Sequence, residues 1–172
     1  DVRPKNADYS LLLAEYHLST NEPLLALGYF DRLIEAGATS PEILGKAAQA
    51  EFLSADRQLS ERARSRAQQA LALDPMASAA LATLGMAAFE AADFAAAIRY
   101  WETLRSLEPE GSPGHQMLGQ VIERARSEVA DSNTLPEVPV GLVVRATLPD
   151  AFEVDPEATV YVLARPEQQQ GG

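Results

Sequence analysis

From Ala7 to about Ala130 the apolar positions recur every three or four residues, the period of helices that each bury one face. "YSLLLAEYHLSTNEPLLALGYFDRLIEAG" holds two such helices, with Pro23 at the first turn of the second, where its missing N–H costs nothing, and Gly37 as its C-cap. "PEILGKAAQAEFLSA" and "SERARSRAQQALALDP" predict the next two, and "LATLGMAAFEAADFAAAIRYWETLRSLEP" a fifth and sixth, with Pro109 ending the sixth. "EGSPGHQMLGQVIERARSEVADS" predicts a seventh.

The helices repeat as pairs. Pro75 and Pro109 stand 34 residues apart, each closing an acid-tipped apolar run, "ALALDP" and "LRSLEP". Thirty-four is the tetratricopeptide period, and Leu81, Leu84-Gly85, Ala88, Ala97, Trp101, Leu104 and Pro109 fall at the spacings of that pattern. Two antiparallel helices pack closely only where small residues meet at the crossing, here Gly85 and Ala97, with Leu81, Leu84, Trp101 and Leu104 filling the space around them. Repeats are expected over about 7–40, 41–77 and 78–111, with a capping helix over 113–130. Ser10, Leu13-Ala14, His17, Ala26, Phe30 and Leu33 carry the pattern in the first. Leu44, Ala47-Ala48, Glu51, Ala63, Ala67 and Ala70 carry it in the second, where "DRQLS" demands a turn about three residues longer. His17 and His115 both fall at packing positions.

The expected fold is therefore all-α over residues 1–132: a tetratricopeptide-repeat (TPR) superhelix of three helix pairs plus a capping helix. A short truncated β segment follows. From residue 133 the helical period stops, "TLPEVP" reads as a linker, and Val138, Val140, Leu142 and Val144 alternate as a half-buried strand does. "TVYVLAR" reads as a second strand. Residues 133–172 are thus expected to be a linker and the opening of a β domain.

In such a superhelix the first helix of each pair lines the concave side. The positions facing it include Leu11, Glu15 and Leu18; Gln49 and Phe52; Ala82, Met86, Phe89 and Glu90; and Gln116, Met117 and Gln120. Leu11, Leu18, Phe52, Ala82, Met86, Phe89 and Met117 form an expected apolar floor, with Glu15, Gln49, Glu90 and Gln120 at its sides. That pattern suits an amphipathic helix laid in a groove, and the flexible thioethers adapt to varied ligand faces. About 1,000 Å² of apolar contact would gain roughly 25 kcal/mol before the costs of association, leaving micromolar to nanomolar binding. Only Lys46 and Arg124 could grip a terminal carboxylate, which argues against a carboxylate clamp.

Composition narrows the alternatives. The chain has 172 residues and a formal net charge of −11, with 25 acids against 14 bases, a balance that excludes phosphate-backbone binding. The one basic cluster, Arg57, Arg62, Arg64 and Arg66, is diluted by Asp56 and Glu61 and reads as a solvated helix face. There are no cysteines, hence no disulfides and no thiolate chemistry. No nucleophile–base pair, phosphate loop or metal-ligand spacing appears, so the reading is a binding module without cofactor or metal, not an enzyme. No apolar run is long enough to span a membrane, and any targeting segment is expected to lie outside the chain.

"LGMAAFEAADFAAAIRYWETLRSLEPEGS", together with "ALALDP", "IERAR" and "ATVYVLARPE", resembles the periplasmic region of the bacterial cytochrome c biogenesis factor CcmI (CycH) family. What the resemblance implies is a periplasmic apocytochrome c chaperone, membrane-anchored in its full length. It would bind the C-terminal helix of apocytochrome c and present it to the other subunits of the haem ligation complex. The alternative is a scaffold that docks folded partners of a membrane assembly through its convex face, by Arg62, Arg66, Arg99 and Arg105.

Overall fold

In the computed structural model, residues 4–133 are described, with side-chain surroundings for residues 7–130. They lie in the first of two units into which the chain divides, Asp1–Pro136. Seven helices follow one another: α1 (Pro4–Ser19), α2 (Pro23–Glu35), α3 (Pro41–Ser54), α4 (Glu61–Leu73), α5 (Ser78–Glu90), α6 (Phe94–Arg105) and α7 (Pro113–Asn133). The expected all-α TPR fold is what the structure shows. The predicted strands and linker fall in residues 134–172, outside the described residues.

Local chemistry sets the helix ends. Ser40, Ser60 and Asp93 are N-caps whose side-chain oxygens accept from the backbone N–H of Ile43, Ala63 and Ala96, satisfying donors the first turn leaves over. Ser112 does the same for His115 N–H at the start of α7. Gly37 follows the α2 C-cap in the left-handed region at φ 92°, with its N–H on Ile34 and the Ala38 N–H on Leu33, a Schellman motif. Asn21 and Ala92 repeat this geometry after α1 and α5. The α3–α4 turn takes six residues where the α1–α2 and α5–α6 turns take three, and both Asp56 and Arg57 there are left-handed. One expectation is corrected. Helix α6 ends at Arg105, four residues ahead of Pro109, because the Leu107 and Glu108 N–H groups turn to the carbonyls three residues back and tighten the chain before the proline is reached.

Each pair packs internally, α1 on α2, α3 on α4 and α5 on α6, and α2 packs on α3, α3 and α4 on α5, and α6 on α7. Alanine makes this possible. Ala14, Ala26, Ala47, Ala48, Ala50, Ala63, Ala67, Ala70, Ala80 and Ala97 are all fully buried, so backbones approach closely and larger side chains fill the remaining space. Phe30 and Leu33 fill it between the first and second pairs, Leu44 and Leu84 between the second and third, and Trp101, Leu118 and Ile122 beneath α7.

A charged cluster ties the second pair to the first. The Glu51 carboxylate on α3 is buried and accepts from Ser60 Oγ at 2.5 Å, Arg62 Nε at 2.9 Å and an Arg66 guanidinium nitrogen at 3.1 Å. Both arginines reach on to Asp31 of α2, Arg66 at 2.5 Å and Arg62 at 3.5 Å. The hydrogen bond to Glu51 is the main reason the Arg62 pKa is raised.

Candidate functional site

The first helices of the pairs, with α7, carry the face expected to receive a ligand. On α1, Leu11 and Leu18 are half-buried, packed along the edge of the first core. Glu15 on the same helix is bound by Lys46 of α3, which also holds Glu42 at 2.7 Å. Burial works against the Lys46 ammonium, but the hydrogen bonds it donates to Glu15 and Glu42 outweigh it and its pKa is raised. Gln49 is half-buried one turn further along α3.

Phe52 requires a correction. It is wholly buried, and in this conformation it cannot meet a ligand.

On α5, Ala82, Met86 and Phe89 are half-buried. The Phe89 ring meets Phe94 edge-on at 5.3 Å and lies tilted against Trp101 at 5.6 Å, while the Arg124 guanidinium of α7 sits 5.4 Å from its centroid. Glu90 is exposed and pairs with Arg57 of the long α3–α4 turn at 3.2 Å. On α7, Met117 is exposed, Gln116 donates to the Gly111 carbonyl at 2.8 Å, and Gln120 lines an open cavity of about 560 Å³ with Arg105, His115, Gln116, Gly119 and Glu123.

Lys46 and Arg124, the only cations that could have served a carboxylate clamp, are thus engaged by Glu15 and Glu42 and by Phe89. The two histidines have structural partners. His17 stacks on Tyr29 at 5.5 Å and bonds Glu22 through Nδ1 at 2.8 Å. His115 Nε2 accepts from Arg105 Nε at 3.1 Å. Among the described residues no group of three or more His, Asp or Glu side chains is placed to hold a metal ion. Nor is any described helix long and apolar enough to cross a membrane.

Two features were not marked as such by the residue pattern. The arginines read as a solvated face include the two locked in the Glu51–Asp31 cluster; their spacing to Asp31 across 31 and 35 residues could be seen only once the pairs were stacked. A further cavity, about 680 Å³, lies elsewhere, bounded by the long α3–α4 turn, Arg64 of α4, Ala87 and Ala88 of α5, and Arg99 and Tyr100 of α6. Its cations and acids balance, with Arg57 already held by Glu90.

Comparison with known proteins agrees with this fold. No family model matches the chain. It is 30% identical over 173 aligned residues to the cytochrome c-type biogenesis protein CycH of Pseudomonas aeruginosa, an alignment covering 95% of this chain and 42% of that protein. The chain therefore spans about two-fifths of the length of this relative. The helical array also superposes on the Sgt2 TPR domain from Aspergillus fumigatus, with a TM-score of 0.63 at 23% identity over 84% of this chain and 92% of that one. The second likeness is one of fold. The first shows that the resemblance to CycH drawn from the residues is homology and places the chain among TPR proteins similar to a cytochrome c biogenesis factor.

Proposed function

We propose that this array is a periplasmic chaperone for apocytochrome c. It holds the C-terminal amphipathic helix of the apoprotein along the face of α1, α3, α5 and α7 and presents it to the haem ligation complex, while the full-length protein is anchored in the membrane. The homology with CycH over nearly the whole chain carries this reading. The character of the face supports it: half-buried Leu11, Leu18, Ala82, Met86 and Phe89 leave apolar edges open, exposed Met117 extends them, and Glu15, Gln49 and Gln120 supply the polar margin. With no cysteine of its own, the protein would handle a thiol-bearing client without forming mixed disulfides. The role is binding, with no catalytic step.

The convex-face scaffold finds less support. Of the four arginines it would use, Arg62 and Arg66 are tied to Asp31 and Glu51, and Arg105 is bonded to His115.

The test is calorimetric titration of the chain with a peptide of a c-type cytochrome's C-terminal helix. Saturable binding with a negative heat-capacity change is expected, weakened about tenfold or more by Met86→Asp or Met117→Asp, each removing more than about 1.4 kcal/mol. No binding, or affinity indifferent to both substitutions in variants that keep native helicity, would overturn the proposal.

A further inference from the structure

Of the two aromatic rings expected on the ligand face, Phe52 is enclosed and Phe89 is half-buried. Two further rings hold Phe89 in place: Phe94 meets it edge-on at 5.3 Å, and the almost fully buried Trp101 lies tilted against it at 5.6 Å. From α7 the Arg124 guanidinium reaches the same ring, 5.4 Å from its centroid. Arg124 differs from the other arginine of its helix. Arg126 is held between Glu102 at 2.7 Å and Glu123 at 2.5 Å, so the carboxylate next to Arg124 in the chain serves another cation. Arg124 itself is exposed and has no carboxylate partner among the described residues. A planar guanidinium has two faces. Phe89 takes one, and the exposure of the side chain leaves the other to solvent.

We infer that this second face receives an aromatic side chain of the client helix. Arg124 then lies between the Phe89 ring and a ring of the ligand, and selects an aromatic anchor over an aliphatic one. This rests on the client reading above and adds to it the chemistry of one contact. A guanidinium can take a carboxylate at its edge or a ring on its face. The surroundings favour the ring. At a net charge of −11 the chain repels an incoming carboxylate at long range, whereas a neutral ring meets no such barrier. Met86 stands one turn before Phe89 on α5 and Met117 two turns before Arg124 on α7, and thioethers make favourable contacts with ring edges. The guanidinium is weakly hydrated, so little water is lost when a ring stacks on it. Its position is also set in advance, because contact with Phe89 has already restricted the side chain that the ligand would otherwise have to order. A cation over a ring contributes a factor of about two to five in affinity at an exposed site, and more where water is excluded.

The probes are peptides of a c-type cytochrome's C-terminal helix, titrated into the full chain. In the parent peptide any aromatic residue is replaced by cyclohexylalanine, and in the others one apolar-face position at a time is phenylalanine or cyclohexylalanine. The two side chains match in size and apolarity, and only phenylalanine has a π face. At one position phenylalanine should bind the native chain at least about threefold more tightly than cyclohexylalanine. That preference should fall to within about 1.5-fold in Arg124→Gln and persist in part in Arg124→Lys, whose ammonium keeps the charge but not the stacking plane. At the same position pentafluorophenylalanine, with its quadrupole reversed, should bind no more tightly than cyclohexylalanine. Both variants should keep the circular dichroism of the native chain. Saturable binding with no preference for phenylalanine at any position, or a preference that survives Arg124→Gln unchanged, would refute this inference and leave the client reading standing. Failure of every peptide to bind would refute both.

Discussion

A β-carbon added to Gly85 would stand 2.4 Å from Nε1 and 2.6 Å from Cδ1 of Trp101, an indole that α5, α6 and α7 hold almost fully buried. The crossing of α5 and α6 therefore depends on the absence of one methyl group. Gly85→Ala should destabilise the chain by about 1–3 kcal/mol through displacement of the ring, even after the roughly 1 kcal/mol that alanine gains as a helix former. Gly28 is the control. It lies inside α2 with nothing within 4 Å of an added Cβ, so Gly28→Ala should stabilise by up to about 1 kcal/mol. Urea denaturation followed by far-ultraviolet circular dichroism gives both values; equal effects of the same sign would refute the steric account.

The Glu51 cluster gives a second contrast. Arg66 and Arg62 both touch the same carboxylate, but the Arg66 side chain is 12% exposed and the Arg62 side chain 54%. Removing a partner from a buried charge leaves that charge uncompensated, whereas an exposed partner is replaced by water. Arg66→Ala should cost about 2–4 kcal/mol of unfolding free energy and Arg62→Ala less than about 1 kcal/mol. Glu51→Ala should be at least as damaging as Arg66→Ala, and the double variant less than the sum of the two, since both remove the same pair. Additive costs in such a cycle would mean that the contact is incidental.

How much of this could be read beforehand depends on the range of the interaction. The pairing of helices was legible because the small residues at Gly85 and Ala97 and the prolines at Pro75 and Pro109 recur at a fixed period, and the longer α3–α4 turn because the period slips there. The end of α6 was misread because a proline marks where a helix cannot continue, and the backbone had already turned at Leu107. Phe52 was placed on the ligand face because its register is that of Phe89, yet Phe89 reaches the open edge and Phe52 is enclosed. Helical register names the side of the helix but not the depth to which the next pair covers it. The Asp31–Arg66 contact joins different pairs across 35 residues, and no local pattern encodes it.

The α1–α2 turn should respond to acid. The hydrogen bond from His17, followed by that from Thr20, lowers the Glu22 pKa from the ordinary 4.5. A carboxyl lowered in the fold contributes stability that is present above its unfolded value and is lost as pH falls through the folded one. The contribution should therefore be intact near neutrality and disappear below about pH 4.5. Glu22→Gln should flatten that limb of the stability–pH curve while leaving its shape above pH 6 unchanged, as measured by urea midpoints at a series of pH values. An unaltered acid limb would show that Glu22 does not set it.

The engagement of Lys46 sets the last expectation, which concerns the manner of binding. A carboxylate clamp needs cations with open donors, and Lys46 is bonded to both Glu15 and Glu42 while Arg124 covers the Phe89 ring. A client helix should therefore be held by its apolar side chains and not by its terminal charge. Amidating the C-terminus of the peptide should change the dissociation constant less than about twofold, under 0.5 kcal/mol. Raising salt from about 0.05 to 0.5 M, which shortens the screening length to a few ångströms, should change it less than about threefold. A clamp would lose affinity steeply under both treatments. Lys46→Ala separates the cases further: in a clamp it abolishes binding of the free-acid peptide, whereas on an apolar face it leaves affinity within about threefold, because the side chain removed was already occupied by its own neighbours.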